Sequence, residues 1–351
     1  MTREVTRNVS ASIRARLLSL AQSRGEDYQR VLGRYAIERF LYRLGRSEYR
    51  DNFALKGATL FTLWTGQTHR PTKDLDLLGR GLSSTITEVE TIIRGICATP
   101  EDDGIVFDGE LVEGARIKED DEYDGARVKF QAKLSGVRIP MQVDIGFGDA
   151  IYPEPELTSF PVLLPMEAPL IRAYPREATI AEKFHAMAVL DIRNSRMKDF
   201  YDIWFMANTW EFEMDSLQKA IEFSFKRRGT PLPEDIPFAL TDGFLDDTQR
   251  KCSGMPSSTA WTPTRRGQLS QRSVPFFAPS FCRAFRKNQN GNHACSGVQR
   301  IIGIEKDGFL AVFMRDLIHG LCILGKHEFG TRGRAVVPNP VFATVAIRTV
   351  C

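Results

Sequence analysis

The fold is decided by the stretch Leu55-Lys56-Gly57-Ala58-Thr59 and the later stretch Asp74-Leu75-Asp76-Leu77-Leu78. The first predicts a turn that enters a buried helix, and the second alternates polar and apolar residues, as a half-buried strand does. Every second residue of a strand points to the same face, so Asp74 and Asp76 share one face. Two carboxylates placed in this way can bind a divalent cation together.

A third carboxylate follows in a segment with strand-like periodicity. The candidate strands are 111–117, 126–134 and 138–145, and Ser135-Gly136 predicts a hairpin turn between the last two. Asp144 alternates with apolar Val143 and Ile145 and therefore lies on the polar face. On a strand next to Asp76 it completes an oxygen-lined site suited to magnesium. Two magnesium ions about 3.5–4 Å apart can activate a hydroxyl and neutralise pyrophosphate, which is nucleotidyl transfer.

Helical periodicity surrounds these strands, at 10–44, 86–96, 178–190, 197–208 and 214–225. The proline-rich segments 153–165 and 231–237 are predicted to be connections. Ser10 is a candidate N-cap. Arg34, Glu38, Arg39 and Arg43 mark a polar side of the first helical segment. Most of these charges are interpreted as a solvated face, and a contact with RNA or a triphosphate is the alternative.

Three residues of the later helices are candidate functional residues. Lys183 lies on the apolar side of its helix, where it must either reach water with its ammonium group or meet an anion. Asp199 and Asp202 are i, i+3 neighbours that could share a cation or orient a lysine. The alternative is an ordinary exposed ion-pair cluster with Arg196 and Lys198. His69 and His185 are interpreted as solvated or satisfied side chains rather than metal ligands.

Charge divides the chain in two. The net charge of the 351 residues is +3, yet residues 251–351 hold 14 Lys and Arg against 4 Asp and Glu, whereas the preceding part holds 33 against 40. The apolar runs are too short for a membrane span, and no secretory signal is expected. The six cysteines lack the spacing of a zinc site, and free thiols are the simplest interpretation. We therefore expect a protein of the reducing cytoplasm. The basic tail is interpreted as frameshifted or fused sequence, or alternatively as an RNA-binding arm.

Together these motifs resemble the AbiEii/AbiGii toxin family of the DNA polymerase beta-like nucleotidyltransferases. The resemblance is carried by Leu55-Lys56-Gly57-Ala58, by Arg70 to Leu77, by Ile180-Ala181-Glu182-Lys183-Phe184 and by Arg196 to Ile203. It departs from the superfamily where Gly57-Ala58 replaces the common Gly-Gly or Gly-Ser, and Thr59 or Thr72 is the candidate for the missing hydroxyl.

The resemblance implies a catalytic set, a nucleotide-binding set and a set of metal ligands. The catalytic set is Asp74, Asp76, Asp144, Lys183, Asp199 and Asp202, of which the first three are the metal ligands. The nucleotide-binding set is Lys56, Gly57, Ala58, Thr59, Arg70, Thr72 and Lys183. It also implies two Mg²⁺ ions, an NTP substrate, a cognate antitoxin partner and a plausible tRNA acceptor, in a bacterial toxin–antitoxin or phage-defence system.

We therefore predict an α+β fold with a nucleotidyltransferase-like mixed sheet. The predicted divisions are N-terminal helices at 1–50, the core at 51–165, a helical domain at 166–250 and the atypical tail at 251–351. Two other functions remain open: an NTP-binding sensor without transfer activity, and a two-metal nuclease.

Overall fold

The structure is a computed structural model that describes residues 8–67, 72, 74–119, 123–148, 151–190, 196–233 and 237–240. The chain divides into two compact units, Met1–Pro175 and Arg176–Cys351. In the described part, no helix combines the length and the apolar character needed to cross a membrane. The predicted tail lies outside the described residues, so the predicted divisions of the chain stay predictions.

In its described part, the first unit is built on one seven-stranded sheet with four α-helices. The strands are β1 (Phe53–Lys56), β2 (Asp74–Gly79), β3 (Ile105–Glu119), β4 (Tyr123–Leu134), β5 (Val137–Phe147), β6 (Glu156–Ser159) and β7 (Leu170–Ala173). The helices are α1 (Val9–Arg24), α2 (Tyr28–Arg46), α3 (Thr59–Thr65) and α4 (Ile86–Ala98). The helices and strands confirm the predicted α+β class.

The sheet is mixed, with the strand order β3-β4-β5-β2-β1-β7-β6. β2 is central: it pairs antiparallel with β1 on one side and parallel with β5 on the other. β3, β4 and β5 form an antiparallel meander, and Ser135 and Gly136 take the positive φ angles of the predicted hairpin turn. Leu75, Leu77 and Val143 are fully buried on the apolar face.

The proline-rich segment predicted as a connection also contains a strand. β6 (Glu156–Ser159) pairs antiparallel with β7 (Leu170–Ala173), which in turn pairs parallel with β1. Each strand has only four residues, too few for the alternation of side chains to stand out in the sequence. The interpretation of 153–165 as connection alone was therefore wrong.

The N-terminus of α1 is capped by Asn8, not by Ser10 as predicted. The Asn8 side chain accepts a hydrogen bond from the backbone N–H of Ala11 at 3.0 Å. The Ser10 hydroxyl instead accepts from the backbone N–H of Ser135 at 2.7 Å. This hydrogen bond links the N-terminal end of α1 to the turn between β4 and β5.

The charged side of α2 is buried, which overturns its interpretation as a solvated face. Glu38, Arg39 and Arg43 are each 2% exposed or less. Arg39 donates to Asp103 at 3.0 Å, and Arg43 donates to both oxygens of the same carboxylate at 2.7 and 3.0 Å. The distant Asp103 supplies the charge that makes burial of two guanidinium groups tolerable.

The second unit contains α5 (Arg176–Leu190), α6 (Met197–Thr209) and α7 (Met214–Arg227) in its described part. Phe184 of α5 packs against Phe225 of α7 with ring centroids 5.8 Å apart. His185 also contacts Phe225, and its Nε2 lies 2.7 Å from the Thr230 hydroxyl. These contacts confirm that His185 is a satisfied side chain.

We expect the His185 side chain to remain neutral at pH values well below those at which histidine usually becomes protonated. Burial, followed by the nearby Arg228, lowers its pKa from 6.5 to about 4. Because the unfolded chain binds this proton first, the contribution of His185 to stability decreases as the pH falls from about 6.5 towards 4. An NMR titration should show an unchanged His185 ring signal down to about pH 5, with His185→Gln providing the assignment; a midpoint near 6.5 would contradict the burial argument.

Candidate active site

A row of charged residues crosses the polar face of the central strands. Lys56 of β1 is opposite Asp76 of β2, Asp76 is opposite Asp144 of β5, and Asp144 is opposite Arg127 of β4. Directly opposite residues on adjacent strands project to the same face and lie about one strand spacing apart, roughly 4.8 Å. The row therefore carries the charge order positive, negative, negative, positive.

The third aspartate lies in the next row of the same face. Asp74 is opposite Gln142, which precedes Asp144 by two residues on β5. The hydroxyl of Thr72 donates to the backbone carbonyl of Asp74 at 3.1 Å, so it fixes the entry to β2. The register brings the three predicted metal ligands to one patch of one face.

The turn after β1 closes directly over Asp76. Gly57 has a φ of +73°, and a Cβ there would overlap the Asp76 carboxylate and lie 2.8 Å from its Cβ. Only glycine fits such a close approach at a positive φ. Thr59 is buried beside this turn, and among the described residues its hydroxyl has no hydrogen-bond partner. The turn therefore brings backbone and a buried, unsatisfied hydroxyl close to the Asp76 carboxylate.

The two ends of the row are cationic. The Lys56 side chain extends over Gly146, whose missing Cβ would lie 3.0 Å from the Lys56 ammonium. Glycine at this position leaves room for the lysine to lie along the sheet. Ala58, which is also in the predicted nucleotide-binding set, is buried. Arg70 and His69 lie outside the described residues.

Arg127 is a site residue that we did not predict from the sequence. Its Nε donates to Oδ1 of Asp144 at 2.9 Å, and its NH2 group donates to Oδ2 at 2.7 Å. The Gln142 amide lies 3.3 and 3.4 Å from the same two oxygens. Both oxygens of the predicted metal ligand are thus engaged in a bidentate ion pair.

The patch fits magnesium by its chemistry, because aspartate oxygens on one face are the hard ligands that this ion prefers. Asp74 and Asp76 are half-buried, and the turn at Gly57 leaves the Asp76 carboxylate uncovered by a side chain at that position. Within the described ranges, no three His, Cys, Asp or Glu side chains are arranged to hold a metal ion. A magnesium ligand set that includes Asp144 therefore requires this carboxylate to leave Arg127.

A second cluster lies in the second unit. The Lys183 ammonium bonds to Asp199 at 2.7 Å and to Asp202 at 2.8 Å. Both carboxylates are buried, and together they orient the lysine, which is one of the two arrangements expected for this pair. The alternative of an exposed cluster with Arg196 and Lys198 is wrong. Burial lowers the pKa of Lys183, but Asp202 and Asp199 raise it further, so its net pKa lies above the ordinary value. Lys183 is held as a cation.

Comparisons with known proteins give the class. The family model described as "Nucleotidyl transferase AbiEii toxin, Type IV TA system" matches residues 39–287, a range that runs past residue 250 into the basic tail. The family that this model describes consists of nucleotidyltransferases. The chain belongs to the AbiEii toxin family, since the model matches well over half of its length. The family implies an NTP substrate and an antitoxin partner.

Two crystal structures from Helicobacter pylori are also similar to the chain. JHP933 is 19% identical, with a TM-score of 0.33, and the match covers 54% of this chain and 71% of that one. A protein described as a candidate nucleotidyltransferase is 17% identical, with a TM-score of 0.39, and the match covers 86% of this chain and 100% of that one. No curated protein matches the chain significantly.

Proposed function

We propose that this chain transfers a nucleoside monophosphate from an NTP to the 3′ end of a tRNA, as a toxin that acts in phage defence. The observation that carries the proposal is the register of β2 and β5, which pairs Asp76 with Asp144 on the face that also carries Asp74. Bound magnesium would supply positive charge to the phosphates of the NTP and to the attacking hydroxyl. Asp74, Asp76 and Asp144 would hold two such ions.

The remaining residues of the patch would bind the nucleotide. Lys56 carries the positive charge at one end of the row and suits a phosphate group. The Gly57 turn lies directly against the Asp76 carboxylate, so its backbone is placed to approach a phosphate bound there, and the buried Thr59 hydroxyl has no partner among the described residues. In the second unit, Lys183 is held as a cation by Asp199 and Asp202, and its role in nucleotide binding stays a prediction.

The test is incubation of purified protein with total tRNA, magnesium and each of the four labelled NTPs. We expect label from at least one NTP to enter tRNA, with release of pyrophosphate. Binding of NTP without labelled RNA would replace the proposal with the sensor function. Shortened RNA in the absence of NTP would replace it with the nuclease function.

Gly57→Ala should reduce transfer strongly, and Gly66→Ala is its matched control. Both glycines flank α3 with similar positive φ angles, so both substitutions add a backbone cost of about 1–2 kcal/mol. Only at Gly57 does the new methyl group also displace the Asp76 carboxylate, because nothing lies within 4 Å of a Cβ at Gly66. Initial transfer rates should fall at least about tenfold more for Gly57→Ala than for Gly66→Ala; equal losses would place the Gly57 effect in backbone strain alone.

A further inference from the structure

We propose that Arg127 is a positioning residue that keeps Asp144 from binding a cation until a nucleoside triphosphate takes over the guanidinium group. This inference rests on the proposed function of the patch and adds a coupling between nucleotide binding and metal binding. Nothing in the predicted catalytic or nucleotide-binding sets assigns a role to Arg127.

The ion pair and a metal ion compete for the same atoms. Arg127 donates to both oxygens of Asp144, in the planar bidentate geometry that makes arginine–carboxylate pairs strong. Magnesium requires carboxylate oxygens at about 2.0–2.1 Å and close to octahedral geometry. A divalent cation on either oxygen would meet the guanidinium charge within a few ångströms, where like charges repel. Binding of a metal ion by Asp144 is therefore disfavoured while Arg127 holds both of its oxygens.

A triphosphate supplies what is needed to release Asp144. The Arg127 side chain is 40% exposed, whereas that of Asp144 is 19% exposed, so a ligand on this face can reach the guanidinium group. Arginine binds phosphate with the same bidentate geometry that it uses for a carboxylate. Transfer of Arg127 from Asp144 to a phosphate leaves the carboxylate oxygens beside Asp76 with only the longer, uncharged Gln142 contacts. By thermodynamic reciprocity, the nucleotide and the cation then strengthen each other's binding.

A purely structural ion pair is the competing explanation. β4 and β5 are already paired along their length, from Gly125 opposite Gly146 to Leu134 opposite Val137. Their register therefore does not depend on Arg127, and a partly exposed pair of this kind contributes little to stability. If the pair is purely structural, replacement of Arg127 should change the metal affinity only by the general effect of removing one positive charge.

The test measures Mn²⁺ binding by electron paramagnetic resonance, without nucleotide, in the full chain. Arg127→Gln should bind Mn²⁺ about tenfold more tightly than the unsubstituted protein, because Asp144 is released. Lys129→Gln is the matched control: it removes the same charge from the same face of β4, but Lys129 is opposite Gln142 rather than Asp144. For Lys129→Gln we expect the Mn²⁺ affinity to increase by about twofold or less. Equal affinities of the Arg127→Gln and Lys129→Gln variants would overturn the proposal.

A second measurement adds a non-hydrolysable triphosphate. Because the phosphates are themselves metal ligands, both proteins should gain Mn²⁺ affinity on nucleotide binding, but the gain should be larger for the unsubstituted protein than for Arg127→Gln, whose Asp144 is already released. The Asp76→Asn variant distinguishes a failure of the proposed metal site from a failure of the role of Arg127 alone. If Asp76→Asn retains full Mn²⁺ binding, the metal site of the proposed function is wrong and the role of Arg127 is wrong with it. If Asp76→Asn loses Mn²⁺ while the Arg127→Gln affinity is unchanged, only the role of Arg127 is wrong.

Discussion

Asp76→Asn is expected to lower the rate of nucleotidyl transfer by roughly 10³-fold, a loss of about 4 kcal/mol in transition-state stabilisation. Asp76 lies at the centre of the charged row, between Lys56 and Asp144, and beneath the Gly57 turn. Asparagine keeps the size of the side chain but removes the negative charge that would hold a cation. The initial rate of label transfer from NTP to tRNA is the measurement.

Asp108→Asn provides the control for this loss of charge. Asp108 is a carboxylate of the same sheet that pairs with Lys133 on the neighbouring strand, away from the row. Its substitution should leave the transfer rate within about twofold. An Asp76→Asn variant that keeps more than about a tenth of the activity would show that this carboxylate is not a metal ligand of the reaction.

Asp103→Asn is expected to lower the free energy of unfolding of the first unit by about 3–5 kcal/mol. The substitution nearly preserves side-chain volume, so little of the loss comes from a cavity. It removes the charge that compensates the buried Arg43 and leaves the buried Arg39 with Glu38, 3.5 Å away, as its remaining carboxylate partner. Urea unfolding followed by circular dichroism gives the magnitude, and hydrogen exchange in α2 assigns the loss to this unit.

The matched substitution at the surface is Asp51→Asn. Asp51 also pairs with two arginines, Arg50 and Arg172, but its side chain is 53% exposed. Solvent screens these pairs, so we expect a loss of about 1 kcal/mol or less. Similar losses for Asp51→Asn and Asp103→Asn would mean that burial does not set the strength of the Asp103 cluster.

The sequence was sufficient for elements whose pattern is local. The alternation of Asp74, Leu75 and Asp76 predicted which side chains share a face, and helical spacing located every helix from α4 to α7. The placement of Asp144 beside Asp76 is different, because it depends on a parallel pairing between distant strands. That prediction rested on the order of the motifs and the family resemblance rather than on periodicity.

Arg127 was missed although the sequence contained its signal. A two-residue turn fixes the register of a hairpin, and Ser135-Gly136 was correctly predicted as this turn. Counting outward equally on both sides of the turn places Arg127 opposite Asp144. The buried charges of α2 carried no such signal, because Asp103 lies in a separate loop and only the tertiary fold brings it to Arg39 and Arg43.

The parallel pairing of β2 with β5 has a consequence for how the protein is made. A ribosome delivers Asp74 and Asp76 long before it delivers Asp144, and the strand that carries Asp144 must come back past the whole β3–β4 hairpin to pair with β2. Nascent chains that stop before residue 144 therefore contain the first two aspartates without the third. If Asp144 is a metal ligand as proposed, such truncated translation products are expected to lack transfer activity.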